Sequence, residues 1–439
     1  MRIQVVTSGV DAGNAVGGLS RLVPYRDRAA ATVARLLSPR VQAAKRLRED
    51  GESGPLRILM LHPFLEGVGI TPFIGGKSVV AYQLSEWLVE QGHAVAILPW
   101  KESLSQECTF RIARGQARVF PTLPFRGLLP TFLALIRDFP RLRKLGWRRF
   151  ARSALLSQGL RNAIREFKPD IIHVHYTRST FPILYPAKRL SVPAILTHHH
   201  GVGNDLDAFR LVVFPSRKQQ EERAGERDAF SGSAEVIHNP VGEAFFAKDY
   251  VPASERKAEA VFIGTLKDDR KGLDILLEAY ASEPALAAYP LKIVGDGALR
   301  PRYEAFAAAR GLNVRFLGHV VSDDLLDLMS ACRVLVVPSR MESFGVVYAE
   351  SACCGTPSIG YAPMIRELGG AIGRAIGTPF DTEKETPEIL AHSLLTHLRE
   401  FQTDESGKEM QAHARRRFRR DDYGEAYLRS YRKLLSHEA

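Results

Sequence analysis

Residues Arg333–Pro357 read RVLVVPSRMESFGVVYAESACCGTP. Val334–Val337 is a short β-branched run, apolar at every position, which is the pattern of a strand buried on both faces of a parallel sheet. Pro338 stops it, because proline has no N–H to give to a central ladder. A helix is predicted from about Ser343 to Cys354, closed by Gly355 and Pro357. Its N-terminus presents free backbone N–H groups and a partial positive charge, which suits a phosphate. Two carboxylates frame the unit, Glu342 just before the helix and Glu350 within it. Eight helical positions span roughly 12 Å with an offset of about 80°. That separation rules out a shared proton or metal ion and suits the two ends of an elongated ligand. An acidic cap followed by a solvated helical Glu is the plainer alternative.

The chain around this stretch has 439 residues, enough for two domains of ordinary size. With 45% hydrophobic and 25% charged residues it has the composition of a soluble globular protein. The most apolar segment, Leu128–Ile136, is too short for a membrane span and contains Pro130. Arg2 is followed by no continuous apolar core, so no cleaved signal peptide is expected. Cys108, Cys332, Cys353 and Cys354 show no disulfide or metal-ligand spacing, which fits a reducing, cytoplasmic setting. The net charge of +11 calls for an acidic partner: nucleic acid, anionic lipid or a phosphorylated small molecule. No nucleic-acid-binding motif is found, which leaves the other two.

Residues 1–55 form a basic N-terminal extension, either a mobile arm or a docked helix. From Leu56 the chain alternates strands and helices. A buried strand, RILMLHP, leads through Gly75-Gly76 to a helix with Val79, Val80, Leu84 and Leu88 on its apolar face, then to a strand from Ala94 to Leu98. The glycine pair gives a phosphate room to approach a helix N-terminus, although any tight turn also uses glycine. Residues 124–168 carry eleven Lys/Arg against two acids, interleaved with Trp147 and several phenylalanines. That is the composition of a segment able to lie on an anionic membrane surface, or of an ordinary solvated helix pair. Strands follow at 170–174 and 193–197, the second ending in His198-His199-His200, where open α/β sheets place ligands. Consecutive histidines cannot share one face, so a single directed ring is expected rather than a metal cage. A polar linker spans about 243–257. A second series then runs through Gly264, Thr265, Arg270, Lys271-Gly272 and Gly295-Asp296-Gly297 to the opening stretch.

The order of these signals resembles the retaining GT-B glycosyltransferases of glycosyltransferase family 4. The resemblance runs from about Leu56 to Leu435 and rests on Asn239-Pro240-Val241, Gly264…Lys271-Gly272, Gly295-Asp296-Gly297, Phe316-Leu317-Gly318 and, above all, Glu342-Ser343-Phe344-Gly345…Glu350. It implies an α/β protein of two doubly wound Rossmann-like domains with an interdomain cleft: an acceptor-binding domain at 56–241, a nucleotide-sugar-binding domain at 242–420, and a C-terminal helix at 421–439 that packs back on the first domain. It also implies roles. Glu350 holds the ribose and Glu342 the transferred sugar, while Phe344 and Gly345, beside Ser343, offer N–H groups to the diphosphate. Lys271 neutralises that diphosphate as it leaves, and His199 contacts the sugar, with His198 or His200 as the other matches. No cofactor or metal is expected, because the nucleotide-sugar is a substrate and cationic groups supply the charge.

Two positions depart from the family pattern. Thr265 stands where the family usually has the arginine that partners the lysine, so a charge and a bidentate fork are missing. Arg270 is the neighbour able to compensate. After Gly360, Tyr361-Ala362-Pro363-Met364 replaces a glycine pair, while Glu367 is kept. The implied acceptor is a glycan or lipid-linked glycan at the inner membrane face, in cell-surface polysaccharide, lipopolysaccharide or glycolipid assembly. A non-catalytic GT-B protein that binds a nucleotide-sugar or glycan is the alternative, with Thr265 as its best argument.

Overall fold

The computed structural model describes residues 54–62, 76–99, 108–112, 115–120, 159–175, 192–199, 209–223, 232–320, 322–400 and 403–436. Most of the N-terminal extension, Gly75, His200 and residues 124–158 of the basic segment lie outside them. The chain divides into two units. Unit 1 comprises Met1–Phe214, Gly225–Glu235 and Gly424–Ala439, and unit 2 comprises Pro215–Ala224 and Val236–Tyr423. The short helix at Arg217–Glu222 therefore belongs to unit 2, a crossing that hydropathy does not reveal.

Unit 1 is built on strands β1 (Arg57–His62), helix α1 (Gly76–Glu90), β2 (Ala94–Pro99), β3 (Cys108–Ile112), β4 (Gly115–Val119), β5 (Ile171–His175), β6 (Ala194–Thr197) and β7 (Leu211–Phe214). The chain then passes through α2 (Arg217–Glu222) and returns as β8 (Ser233–Val236). The sheet order is β3-β4-β2-β1-β5-β6-β7-β8. β1 runs parallel between β2 and β5, and Ile58–Leu61 are buried on both faces. Val80, Leu84, Trp87 and Leu88 of α1 supply the buried stripe of an amphipathic helix.

Unit 2 contains α3 (Ala244–Ala247), β9 (Lys257–Ile263), α4 (Leu273–Ser282), β10 (Leu291–Val294), α5 (Arg300–Ala309), β11 (Val314–Gly318) and α6 (Ser322–Ala331). It continues with β12 (Cys332–Val337), α7 (Val346–Cys353), β13 (Ser358–Tyr361), α8 (Ala362–Ile372), β14 (Gly377–Phe380), α9 (Pro387–Arg399) and α10 (Asp404–Arg417). Its sheet, β11-β10-β9-β12-β13-β14, is parallel throughout. Val334–Val337 are fully buried at its centre, as their composition requires. Burial pushes the thiols of Cys332 and Cys354 up, to about 12 and about 11, so these cysteines are inert packing.

The last helix, α11 (Arg420–Ser436), begins in unit 2 and continues in unit 1 from Gly424. Tyr423, Tyr427, Tyr431 and Leu435 recur every fourth residue and are buried. Gly424 lets the helix approach Trp87, since a Cβ there would lie 2.1 Å from the indole. Among the described residues no helix is long and apolar enough to cross a membrane.

Candidate functional site

The loops after β9 and β12 leave neighbouring parallel strands at their C-terminal ends, where open α/β sheets bind ligands. After β9 the chain passes Gly264 and Thr265 and closes a 3₁₀ turn over Asp269–Lys271. Gly272 follows in the left-handed region, φ +71°, and a Cβ there would meet the Pro338 carbonyl oxygen at 2.0 Å. Only glycine lets this turn press against the end of β12. The contact delivers Lys271 to Glu342: Nζ donates to Oε1 at 2.5 Å. The lysine stem lies along Gly264, whose Cβ would sit 3.0 Å from Lys271 Cγ. Ser339 Oγ donates to the same Glu342 oxygen at 2.8 Å. Glu342 is 7% exposed, and its Oε2 has no partner among the described residues.

Glu342 is not helical. Helix α7 starts at Val346, after Gly345 at φ +67°, and not near Ser343. The helical spacing inferred between Glu342 and Glu350 therefore does not apply, because residues 342–345 form a bent loop. Gly345 has a steric reason of its own: a Cβ would lie 2.4 Å from the ring of Tyr348. The Tyr348 hydroxyl donates to the Val337 carbonyl at 2.6 Å and accepts from the Tyr361 N–H at 3.1 Å, joining the ends of β12 and β13. No side chain caps the N-terminus of α7. Its first N–H groups are left to other partners.

Glu350, one turn into α7, is half-buried. Desolvation pushes it up to about 7. Among the described residues no hydrogen bond satisfies it. Ser343 is fixed through its carbonyl, which accepts from Ser216 Oγ at 2.7 Å. The Phe344 ring is buried between His238 and Phe418, at 5.6 and 6.0 Å. Glu367 ties the same corner together by accepting from the Arg217 N–H at 2.6 Å and from His238 Nε2 at 3.1 Å. Burial would raise its carboxyl, but these bonds and the Lys218 N–H hold it below the usual range.

Thr265 and Arg270 stand apart from this group. Both are exposed, and Arg270 Nε donates to Asp268 at 2.9 Å, so its charge is already engaged. The residue that braces the turn is Arg340. Its N–H donates to the Arg270 carbonyl at 2.8 Å, and its guanidinium grips Asp274 with two bonds of 2.9 and 2.6 Å. The sequence reading missed Ser339, Arg340 and Tyr348. Ser339 carried a signal, as a polar residue at a strand's C-terminal end; the arginine–aspartate pair carried none.

His199 lies in unit 1, buried, with Nε2 3.4 Å from Nδ1 of His175. His198 turns elsewhere, its ring 5.5 Å from that of Phe214. Thr197 Oγ1 bonds His173 Nε2 and the Tyr427 hydroxyl, each at 2.7 Å, and His173 Nδ1 meets the Tyr431 hydroxyl at 2.6 Å. Burial holds His173 down to about 3, so this network is neutral at ordinary pH. Gly76 is the first residue of α1. Among the described residues no group of three or more metal-ligating side chains could hold an ion.

Residues 246–367 match the family Glycosyl transferases group 1, and residues 74–241 match Glycosyltransferase Family 4. The chain is 28% identical to the D-inositol 3-phosphate glycosyltransferase of Stackebrandtia nassauensis, over 74% of this chain and 80% of that one. It is 27% identical to an uncharacterized glycosyltransferase of Methanocaldococcus jannaschii, over 54% of this chain and 67% of that one. In fold it is similar to the sucrose-phosphate synthase of Thermosynechococcus elongatus, with a TM-score of 0.64, 19% identity, and coverage of 87% of this chain and 100% of that one. Anabaena HepE, solved with UDP and glucose, gives a TM-score of 0.59 and 17% identity over 85% of this chain and 99% of that one.

Proposed function

The chain belongs to the GT-B glycosyltransferases of the family 4 type, and from that premise we propose that it moves a sugar from a nucleotide-sugar to a glycan or lipid-linked acceptor with retention of anomeric configuration. The observation that carries the donor assignment is the Lys271–Glu342 pair beside the uncapped N-terminus of α7. In this structure the lysine charge is held by Glu342 Oε1. An arriving diphosphate draws Lys271 and the N–H groups at Phe344 and Gly345 toward itself, and the free Oε2 of Glu342 accepts from a sugar hydroxyl. Glu350, partly desolvated and with no side-chain hydrogen bond among the described residues, is suited to accept from the ribose hydroxyls.

The acceptor hydroxyl then attacks the anomeric carbon on the face from which the diphosphate departs. The carbon–oxygen bond to phosphate breaks, and a phosphate oxygen takes the acceptor's proton. Positioning and charge stabilisation supply the rate, with Lys271 and the helix terminus facing the charge that develops on the leaving group. His199 is assigned to the sugar side of the reaction. For the acceptor, the composition of residues 124–168 favours a lipid-linked glycan at an anionic membrane face, in cell-surface polysaccharide or glycolipid assembly.

The test is donor turnover. Purified protein incubated with a panel of nucleotide-sugars should hydrolyse or transfer one of them, and Glu342→Ala should lower that rate by at least about a hundredfold. Undiminished turnover in the variant overturns the assignment. Donor binding without turnover in the native chain would favour the non-catalytic reading, for which exposed Thr265 and the engaged Arg270 speak.

A further inference from the structure

Away from Lys271 and Glu342, unit 2 holds a pocket of about 290 Å³ lined by Arg415, Arg416, Arg419 and Arg420. Phe246 of α3 forms part of its wall, and Glu243 and Asp421 are the acids that line it among the described residues. The arginines come from one run, RRRFRR at 415–420, which straddles the corner between α10 and α11. Buried Phe418 turns the chain there, so the side chains converge from two helices instead of fanning around one.

Helix electrostatics account for only part of this run. Arg415 and Arg416 lie in the last turn of α10, where cations offset the negative end of the helix. Arg419 and Arg420 lie at the start of α11, where the helix end is positive and a cation is unfavourable. Arg415 spends its guanidinium on the carbonyls of Cys353 and Lys248. Arg416 has no carboxylate partner among the described residues. Arg419–Asp421 and Arg420–Glu243 are loose pairs at 3.7 and 3.6 Å. Among the described residues four guanidinium groups and two carboxylates line the pocket, next to the N–H groups of a 17-residue helix.

We propose that this pocket binds a phosphomonoester, borne by a small phosphorylated metabolite or by a lipid headgroup, at a site separate from the Lys271–Glu342 centre. The planar arginine forks match phosphate oxygens two at a time, and the volume admits a phosphate with a sugar-sized substituent against Phe246.

The experiment uses the full chain, freed of phosphate, titrated calorimetrically with inorganic phosphate and glucose 6-phosphate. In parallel it is co-sedimented with vesicles of phosphatidic acid in phosphatidylcholine, and of phosphatidylcholine alone. At least one phosphate probe should bind saturably, with the same affinity in Lys271→Ala. The affinity should fall by at least about tenfold in the Arg416→Glu/Arg419→Glu double variant, which removes two charge-assisted contacts. Arg416→Gln, which breaks no hydrogen bond or ion pair among the described residues, should weaken binding several-fold with an unchanged thermal midpoint. Binding of soluble probes identifies a free metabolite, and binding of phosphatidic acid vesicles alone identifies a headgroup. Three results overturn the proposal: equal affinity in both arginine variants, loss of binding in Lys271→Ala, or no saturable binding of any probe.

Discussion

A carboxyl that its surroundings partly desolvate, such as that of Glu350, holds its proton more tightly in the folded chain than in the unfolded one. Its value rises from 4.5 to about 7. The unfolded chain loses that proton first, so stability falls as pH rises from 4.5 through 7 and is level above. Glu350→Gln removes the cost. The variant should match the native chain at pH 4 and exceed it at pH 8 by about 1–2 kcal/mol, a figure discounted for the partial exposure of the side chain. Urea midpoints at the two pH values check this. If Glu350 also holds the donor, the same variant should lose most of the protection against heat that the preferred nucleotide-sugar confers. Greater stability with weaker donor protection is the mark of a residue kept for binding and not for folding.

At the scale of elements, the site depends on one turn docking on one strand end. Gly272→Ala places a Cβ 2.0 Å from the Pro338 carbonyl in a left-handed conformation. Strain and overpacking together should lower stability by about 2–4 kcal/mol. Because the turn must retreat, Lys271 should also move away from Glu342. The expected signature is a lost urea midpoint with donor turnover falling further than stability alone explains. These elements differed in how far the sequence exposed them. β12 was legible because four apolar β-branched or leucine positions in a row, stopped by Pro338, have one comfortable home. The start of α7 was misplaced because its cause, the positive φ of Gly345 opposite the Tyr348 ring, is a three-dimensional clash that no local pattern records. Glu342 and Lys271 could each be singled out, but their ion pair joins residues 71 positions apart. The anchoring of α11 by Tyr427 and Tyr431 was hidden for the same reason. The hydroxyl partners of the tyrosines, Thr197 and His173, come from distant strands. The gathering of the arginine run at 415–420 into a pocket depends on the corner between α10 and α11, which no local pattern records.

For the molecule as a whole, the charge of +11 is spread unevenly, and residues 124–168 hold eleven of its 60 basic side chains. A lipid-linked acceptor would require the enzyme to work at an anionic surface, and each Lys or Arg near such a surface contributes about 1 kcal/mol, screened within a Debye length. The full chain should therefore float with vesicles containing phosphatidylglycerol and not with phosphatidylcholine alone, and should be released between about 0.1 and 0.5 M salt. Replacing Arg141, Arg143, Lys144, Arg148 and Arg149 by glutamine should lower vesicle affinity by at least about tenfold. Donor turnover in detergent-free solution should be unchanged, because none of these residues belongs to the Lys271–Glu342 centre. The Arg416→Glu/Arg419→Glu variant separates the two basic regions. Flotation that survives it but not the glutamine replacements assigns the membrane contact to 124–168. The opposite pattern moves that contact to the arginine pocket, and flotation indifferent to lipid charge and salt returns 124–168 to an ordinary solvated surface.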